Sequence, residues 1–406
     1  MKKVTLYSYY SPEELTGIGK YNGELIKWLL QNDIEVTSIS NAPFYPHWKI
    51  YPGFGNQIYS KKKYSYEDIR TWVYIPPNPG ALKKIISELS FVISSTFALV
   101  MNIKGIRKSS LLIVINPPFF LGLLPYFLII GSKCRILLHI QDLQIDAARE
   151  LNLLPITVCR FLEVIEKWLL KKVDFVSTIS IGMAKKIDSK NIGKKVMLLP
   201  NWSELKQIFP IENCTWLHDH LGILKSRKLV VYSGNIGEKQ GLDNLVKAAN
   251  LLKANNEIHF IVLGEGVYRK KLENLINKYD LDNFTLGSLV PKENMNEMLN
   301  SSYIQVVIQK GQSTESFLPS KLTNILASGT ASIVTANEGT TLHTILSSTN
   351  SAVLIDPDNP ESLANQILNL CSDNDLRKKI KNNARLWAED NLAINKCLKP
   401  LSEILG

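Results

Sequence analysis

Leu229-Val230-Val231-Tyr232-Ser233-Gly234-Asn235-Ile236-Gly237-Glu238-Lys239-Gln240-Gly241 opens the second half of the chain. A short strand-forming run enters a glycine-rich turn that carries a lysine. Glycines at a strand end that leads into a helix let backbone N–H groups approach a phosphate at the positive helix end. The same plan stands at the start of the chain. Val4–Tyr10 reads as a strand and Thr16-Gly17-Ile18-Gly19 as the turn. Tyr21, Leu25, Trp28 and Leu29 then share one face of a helix. Two such openings, one in each half, predict two α/β domains whose ligand ends lie at the strand C-termini. Facing glycine loops of this kind suit a diphosphate held between domains.

The rhythm of short β runs and helical patterns continues through the chain. Glu35–Ile39, Thr71–Ile75, Leu111–Ile115, Arg135–His139, Asp174–Ser180 and Val196–Leu199 read as the remaining strands of the first half. It breaks at Pro200-Asn201-Trp202-Ser203 and resumes at Leu229–Ser233. Ile258–Leu263, Phe284–Leu286, Ile304–Ile308, Ser332–Thr335 and Ser351–Ile355 follow. The expected division is residues 1–205, residues 206–385 and a final segment, 386–406.

With 406 residues and 45% hydrophobic content the chain can build two ordinary cores. The formal net charge of +10 suits phosphate-bearing substrates or anionic lipid. Nucleic acid is not expected, because neither zinc-finger spacing nor an RNP-like aromatic motif accompanies the charge. The five cysteines are scattered, with no Cys-x-x-Cys pair, which suits a reducing compartment and gives no structural zinc site. The amino terminus turns polar too soon for a signal peptide. The apolar runs Phe91–Ile103 and Phe119–Ile130 fall short of the ~20 residues that span a bilayer. A cytoplasmic location, peripheral at the inner face of the membrane, is the expectation.

Further stretches carry chemistry. In Leu263-Gly264-Glu265-Gly266 a glycine turn can wrap a nucleoside, or can simply lead into the next helix. In Leu318-Pro319-Ser320-Lys321-Leu322-Thr323-Asn324, Ser320 is placed to cap a helix. Lys321 then puts a cation in its first turn, against the helix dipole, unless an anion is bound there. His139 leads into Ile140-Gln141-Asp142, and a histidine beside a carboxylate can handle protons or merely brace a strand end. The aromatic loop Phe44-Tyr45-Pro46-His47-Trp48 can stack on sugars or fill a satellite core. Lys83 and Lys84 precede the apolar run Ile85–Ile103, and Lys104, Arg107 and Lys108 follow it. That is the pattern of an interfacial helix on anionic lipid, and also of a buried helix with charged ends.

Taken in order, these motifs resemble family-4 retaining glycosyltransferases of the glycosyltransferase-B fold. Within that family they are most similar to the type that acts in colanic acid biosynthesis. The residues that carry the resemblance include Leu15–Tyr21, Tyr45-Pro46-His47-Trp48, Leu138–Asp142, Pro200–Ser203, Tyr232–Gly241 and Leu318–Leu326. It implies two Rossmann-like, doubly wound domains facing a central cleft, with a C-terminal helix over Trp387–Ile404 crossing back to the first. The donor nucleotide sugar would meet Gly17, Gly19, Asn235, Lys239, Gly264, Glu265, Ser320, Lys321 and Asn324. A lipid-linked acceptor would meet Tyr45, His47 and Trp48, with His139 and Asp142 as catalytic residues. The resemblance implies no cofactor and no metal. It points to GDP-L-fucose as donor, with a UDP-hexose or a UDP-deoxyamino sugar such as UDP-L-FucNAc as the alternative. The pattern departs from the family where Asn235 replaces an arginine and Gln240 a lysine. Glu315 also stands one place off register, and Asn324 replaces a second glutamate. A sugar-nucleotide epimerase on the same plan and a non-catalytic sugar-binding protein are the rival readings.

Overall fold

Strand β1, Lys3–Ser8, lies at the centre of the first sheet because its residues from Val4 onward are apolar or small enough to be buried on both faces. The computed structural model describes residues 2–77, 79–150, 154–311 and 320–406. It divides into two units, Met1–Pro200 with Leu398–Gly406, and Asn201–Cys397.

In the first unit the later strands are β2 (Glu35–Asn41), β3 (Tyr59–Lys63), β4 (Glu67–Thr71), β5 (Leu111–Asn116), β6 (Arg135–Ile140), β7 (Phe175–Thr178) and β8 (Val196–Leu198). Among the described residues they form one sheet in the order β3-β4-β2-β1-β5-β6-β7-β8, parallel except for β3 against β4. The strand order reverses between β1 and β5. Open α/β sheets bind ligands at such a switch point, beyond the strand C-termini.

The second unit repeats this with β9 (Lys228–Ser233), β10 (Ile258–Leu263), β11 (Phe284–Gly287), β12 (Ile304–Val307), β13 (Ser332–Thr335) and β14 (Val353–Ile355). Their order is β11-β10-β9-β12-β13-β14, all parallel. The switch point lies between β9 and β12, so the glycine loop after Ser233 stands on it. Val230, Tyr232, Phe260 and Val262 join the core on one face, and Leu229, Val231, Ile261 and Leu263 join it on the other.

Three expectations are corrected. The strand expected at Thr71–Ile75 is Glu67–Thr71, and Tyr59–Lys63 pairs with it as an edge strand. The three exposed lysines of that edge give no apolar alternation to read. The unit boundary falls at Pro200 rather than after residue 205. Ser203 donates its N–H to Leu392 O and bridges Ala393, which ties the following residues to the second unit. The final segment is not one helix. Asn374–Asn391 packs Ala384 and Ala388 into the second unit's core. Ile394–Cys397 follows, and Lys399–Leu405 belongs to the first unit, where Arg135 donates to Ile404 O at 2.7 Å.

Candidate active site

In the second unit two loops are built on each other. Gly234 has φ +146°, and its N–H donates to Leu263 O at 2.9 Å. A Cβ on Gly264 would overlap the carbonyl oxygen of Gly234, and one on Gly266 would overlap that of Ile236. The N–H of Ile236 donates to Glu265 O at 2.8 Å. The glycines at 264 and 266 therefore serve the close stacking of two backbones. Of the two readings the sequence left open, this stacking accounts for the glycines as a turn that leads into the next helix. The Glu265 carboxylate lies 3.7 Å from Arg269, whose guanidinium also donates to Gly264 O and Gly287 O. Arg269 thus holds the turn, a role the sequence did not reveal.

Lys321 is the second residue of the helix Ser320–Ala327. Its Nζ lies 3.7 Å from the centre of the Tyr232 ring and 3.6 Å from where a Cβ on Gly234 would stand. The aromatic face offsets part of the cost of a cation at a helix N-terminus. Tyr232 in turn donates its hydroxyl to Asn235 O at 2.8 Å, fixing the loop from below. Strand, glycine loop and lysine are thus brought together. The Asn235 and Lys239 side chains are exposed. The Lys239 carbonyl accepts from Lys310 N at 2.9 Å, so a further lysine, just beyond β12, joins the same loop. Asn324 accepts from Ser203 Oγ at 2.9 Å, so its carbonyl oxygen links this helix to the Pro200–Ser203 segment. The Ser320 side chain and Glu315 lie outside the described residues. Asp356-Pro357-Asp358 is an Asp-x-Asp triplet just beyond β14. Its Asp358 carboxylate accepts from Asn244 and from Gly311 N.

In the first unit the loop after β1 is packed more tightly than a phosphate cradle. A Cβ on Gly19 would overlap Ser11 O, and one on Gly23 would overlap Pro12 O. Gly17, at φ +64°, lies against the Tyr45 ring, which a Cβ would meet at 3.3 Å. Asn22, in the place of a third glycine, donates to Ser8 Oγ and Tyr10 O, fastening the helix to the strand end. Gly19 and Gly23 thus close the strand-to-helix turn, which accounts for both glycines without a ligand.

Two glutamates of this loop, which sequence reasoning passed over, hold it in place. Glu13 pairs with Arg70 at 2.6 Å and accepts from Tyr66 and Ser11. Glu14 accepts from the N–H groups of Phe44 and Tyr45 at 3.4 and 3.2 Å. Its Oε2 is buried without a hydrogen-bond partner among the described residues. Burial pushes its carboxyl up to about 8. The adjacent acid pair before a glycine turn was the available signal.

Tyr45 meets Tyr10 edge-on at 6.1 Å, and Trp48 tilts onto Phe44 at 5.3 Å with Lys84 Nζ 5.6 Å from its ring. His47 is exposed. His139 lies within β6 and is buried, and its Nδ1 shares a 2.9 Å hydrogen bond with Ser177 Oγ rather than with Asp142. Burial pulls its pKa down to about 4, so the ring is neutral at physiological pH. Asp142 lies exposed in the loop beyond β6, because the strand runs one residue past His139 and carries the chain outward. Two residues on, Gln144 donates to Glu88 Oε1 at 3.0 Å and accepts from Phe119 N at 3.1 Å. Burial, and less strongly Asp142, push Glu88 up to about 7.

Residues 216–387, most of the second unit, match the family model described as "Glycosyl transferases group 1". Over 370 residues the chain is 33% identical to the Escherichia coli (strain K12) protein named "Putative colanic acid biosynthesis glycosyl transferase WcaI". The match covers 89% of this chain and 90% of that one. The chain belongs to the group 1 glycosyltransferases. Its fold is that of the glycosyltransferase-B enzymes. Sucrose-phosphate synthase from Thermosynechococcus elongatus superimposes with a TM-score of 0.78 at 16% identity, covering 100% of this chain and 98% of that one. Anabaena HepE in complex with UDP and glucose gives 0.68 at 14% identity over 100% and 99%.

The two switch points of this glycosyltransferase differ in chemistry. The second unit offers a glycine loop with Lys321 against it and Lys239 and Lys310 on it, groups that can neutralise an anion. The first offers a neutral histidine, tyrosines and buried carboxyls, groups that can hydrogen-bond hydroxyls.

Proposed function

We propose that the protein transfers one sugar, with retention of configuration, from a nucleotide-diphosphate sugar to a polyprenyl-diphosphate-linked acceptor. The product is a growing surface polysaccharide of the colanic acid, capsule or O-antigen kind, made at the inner face of the cytoplasmic membrane. The observation that carries this reading is the Lys321 ammonium over Tyr232, against the Gly234 loop at a sheet switch point. A donor diphosphate seated there would meet Lys321, the exposed Asn235 and Lys239, and the backbone of the 234–237 loop. Gly264 and Glu265 act by supporting that loop. Ser320 and Asn324 would stand at the start of the same helix.

In the transfer step the acceptor oxygen bonds to the anomeric carbon as that carbon's bond to the diphosphate oxygen breaks. The departing phosphate takes the acceptor's proton. His139 stays neutral and, with Nδ1 engaged by Ser177, turns Nε2 to a sugar hydroxyl or to charge developing at the anomeric carbon. Asp142 orients the acceptor, which stacks on Tyr45 and Trp48, with His47 at the rim. We further propose that no metal takes part. Among the described residues no group of three or more His, Cys, Asp or Glu side chains is placed to hold one.

The donor we favour is GDP-L-fucose. A UDP-sugar is the second reading, because HepE, of the same fold, has been solved with UDP. A thermal-shift screen of UDP, GDP and their sugars separates them, since a ligand that binds only the folded state raises the melting temperature. A shift with GDP and GDP-fucose alone supports the first, and one with UDP compounds alone supports the second. No shift with either overturns the proposal.

A further inference from the structure

The helix Ala81–Met101 covers the first sheet yet carries apolar residues on both sides. Its inward side sets polar groups among the buried Phe91, Ala98 and Leu99. Ser87 and Ser95 bond the hydroxyls of Tyr9 and Tyr7 at 2.7 and 2.6 Å, Ser90 accepts from Tyr74 N, and Glu88 accepts from Gln144. Its outward side is apolar. Leu82, Ile86, Leu89, Ile93, Phe97 and Val100 recur at three- and four-residue spacing on one face, all exposed, with Ile93 at 74%. A surface helix in water ordinarily turns a polar stripe outward, and this one does not. In length and composition Leu82–Met101 could cross a membrane, which corrects the shorter run expected from the sequence. The inward hydrogen bonds hold it flat on the sheet instead.

The stripe does not end with this helix. Successive strands from β4 to β8 step in one direction across the sheet. Right-handed crossovers therefore put the intervening helices on one face. Helix Leu123–Ile129 exposes Phe127 (57%), whose ring stacks on Trp168 at 5.8 Å. On the helix that carries Trp168, Ile156–Lys172, Val164 (68%) and Phe161 (65%) continue the apolar ridge one and two turns back. Arg107, in the short helix Ile103–Arg107 that follows the first, donates to Ile130 O at 3.2 Å and joins it to this ridge.

The ridge is rimmed by one sign of charge. Lys83 and Lys84 stand exposed at one end and Lys104, Arg107 and Lys108 at the other. The acidic side chains of these helices are occupied: Glu88 with Gln144, Glu163 with Arg149 and Glu166 with Lys190.

We propose that this three-helix ridge is the landing surface for an anionic lipid bilayer. The proposal rests on the lipid-linked acceptor above and names the partner that presents it. A second copy of the chain fits less well, since pairing the stripes would bring basic ends together. Lys84, on the landing helix, lies over Trp48 of the acceptor loop, and Glu88 on its inward side holds Gln144 beside Asp142. Docking therefore places the bilayer next to the groups proposed to receive the acceptor.

The test uses the full chain with vesicles of phosphatidylcholine alone or with phosphatidylglycerol added, read by flotation. Binding should need the anionic lipid and fall with salt, because exposed charges are screened beyond about 8 Å at physiological ionic strength. Ile93→Asn with Phe161→Ser should weaken binding by about tenfold or more, with an unchanged melting temperature. Phe127→Ser serves as the independent variant. Equal binding to both vesicle types, or full binding by the polar variants, overturns the proposal. So does a dimer that the polar variants dissociate while vesicle binding stays unchanged. Nucleotide titration on the same samples keeps the readings apart. Absent nucleotide binding with intact flotation strikes the transfer reading and leaves the surface standing.

Discussion

Lys321→Met removes one charge and keeps most of the aliphatic stem that lies on Tyr232. If the ammonium neutralises the donor diphosphate, its loss costs a charge-assisted contact of about 1.5–3 kcal/mol. That is a factor of roughly 10 to 150 in Kd. The free protein should be nearly indifferent. Loss of the cation–π contact costs about 0.5–2 kcal/mol. Removing a cation from a helix N-terminus returns about 0.3–1 kcal/mol. The net change is then on the order of 1 kcal/mol, a few degrees in melting temperature for a unit of this size. Isothermal titration of GDP and UDP into wild type and variant at one fixed salt concentration reads the first quantity, and differential scanning fluorimetry reads the second. A folded variant with unchanged affinity for both nucleotides would refute the anion assignment, and with it the placement of the donor on the Gly234 loop.

His139→Ala should lower turnover by at least about tenfold while donor affinity and melting temperature stay near wild type, because a contact made mainly in the transition state acts on kcat. Near-normal turnover in a folded variant ends the catalytic role, and an early melt with activity tracking the folded fraction makes the residue structural. Since burial holds the ring pKa at about 4, the unfolded chain takes up a proton near pH 6.5 that the folded chain refuses. Wild type should therefore lose stability as pH falls from about 6.5 toward 4 relative to the variant. Glu14→Gln tests the opposite sign. The folded carboxyl titrates at about 8, so wild type loses stability as pH rises from about 4.5 to 8, by on the order of 4 kcal/mol at most. Urea melts should show the Gln variant more stable at pH 8 and equal to wild type near pH 4. A constant difference across that range would show that Glu14 does not titrate there.

The sequence carried the strands well where burial on both faces leaves a continuous apolar run, as at Leu111–Asn116 and Ile258–Leu263. It failed at Tyr59–Lys63, whose place is given by pairing with Glu67–Thr71 and not by its own pattern. Glycines were visible, but their partners were not. Gly19 abuts Ser11 and Gly264 abuts Gly234, and neither neighbour follows from spacing. The same limit hid Glu14. Its high pKa comes from burial, which the N–H groups of Phe44 and Tyr45, some thirty residues away, offset only in part. Lys321 was legible because a lysine in the first turn of a helix is a local anomaly that spacing alone exposes.

The repeated architecture also explains why similar motifs ended with different chemistry. Each sheet reverses its strand order beside a strand that ends in a glycine turn, so topology alone brings two loops together at each switch point. What those loops present depends on the neighbouring strand. Beside β9 the neighbour is β12, and its end brings Lys310 onto the Gly237–Gly241 turn while the Ser320 helix brings Lys321. Beside β1 the neighbour is β5, and the helix that leads into it turns Ser87, Glu88 and Ser95 inward to the strand-end tyrosines and Gln144. The second unit's switch point thereby gathers lysines, with Glu238 beside Lys310, and the first unit's gathers hydroxyls and buried carboxyls. The difference lies in what the neighbouring strand and helix deliver to each sheet end, and not in the glycine turns themselves. It also bears on the landing helix. Its inner face is filled by Phe91, Ala98 and Leu99 together with the serines and Glu88 that meet the strand-end tyrosines and Gln144, so the remaining apolar residues, from Leu82 to Val100, face outward, where a lipid surface would cover them.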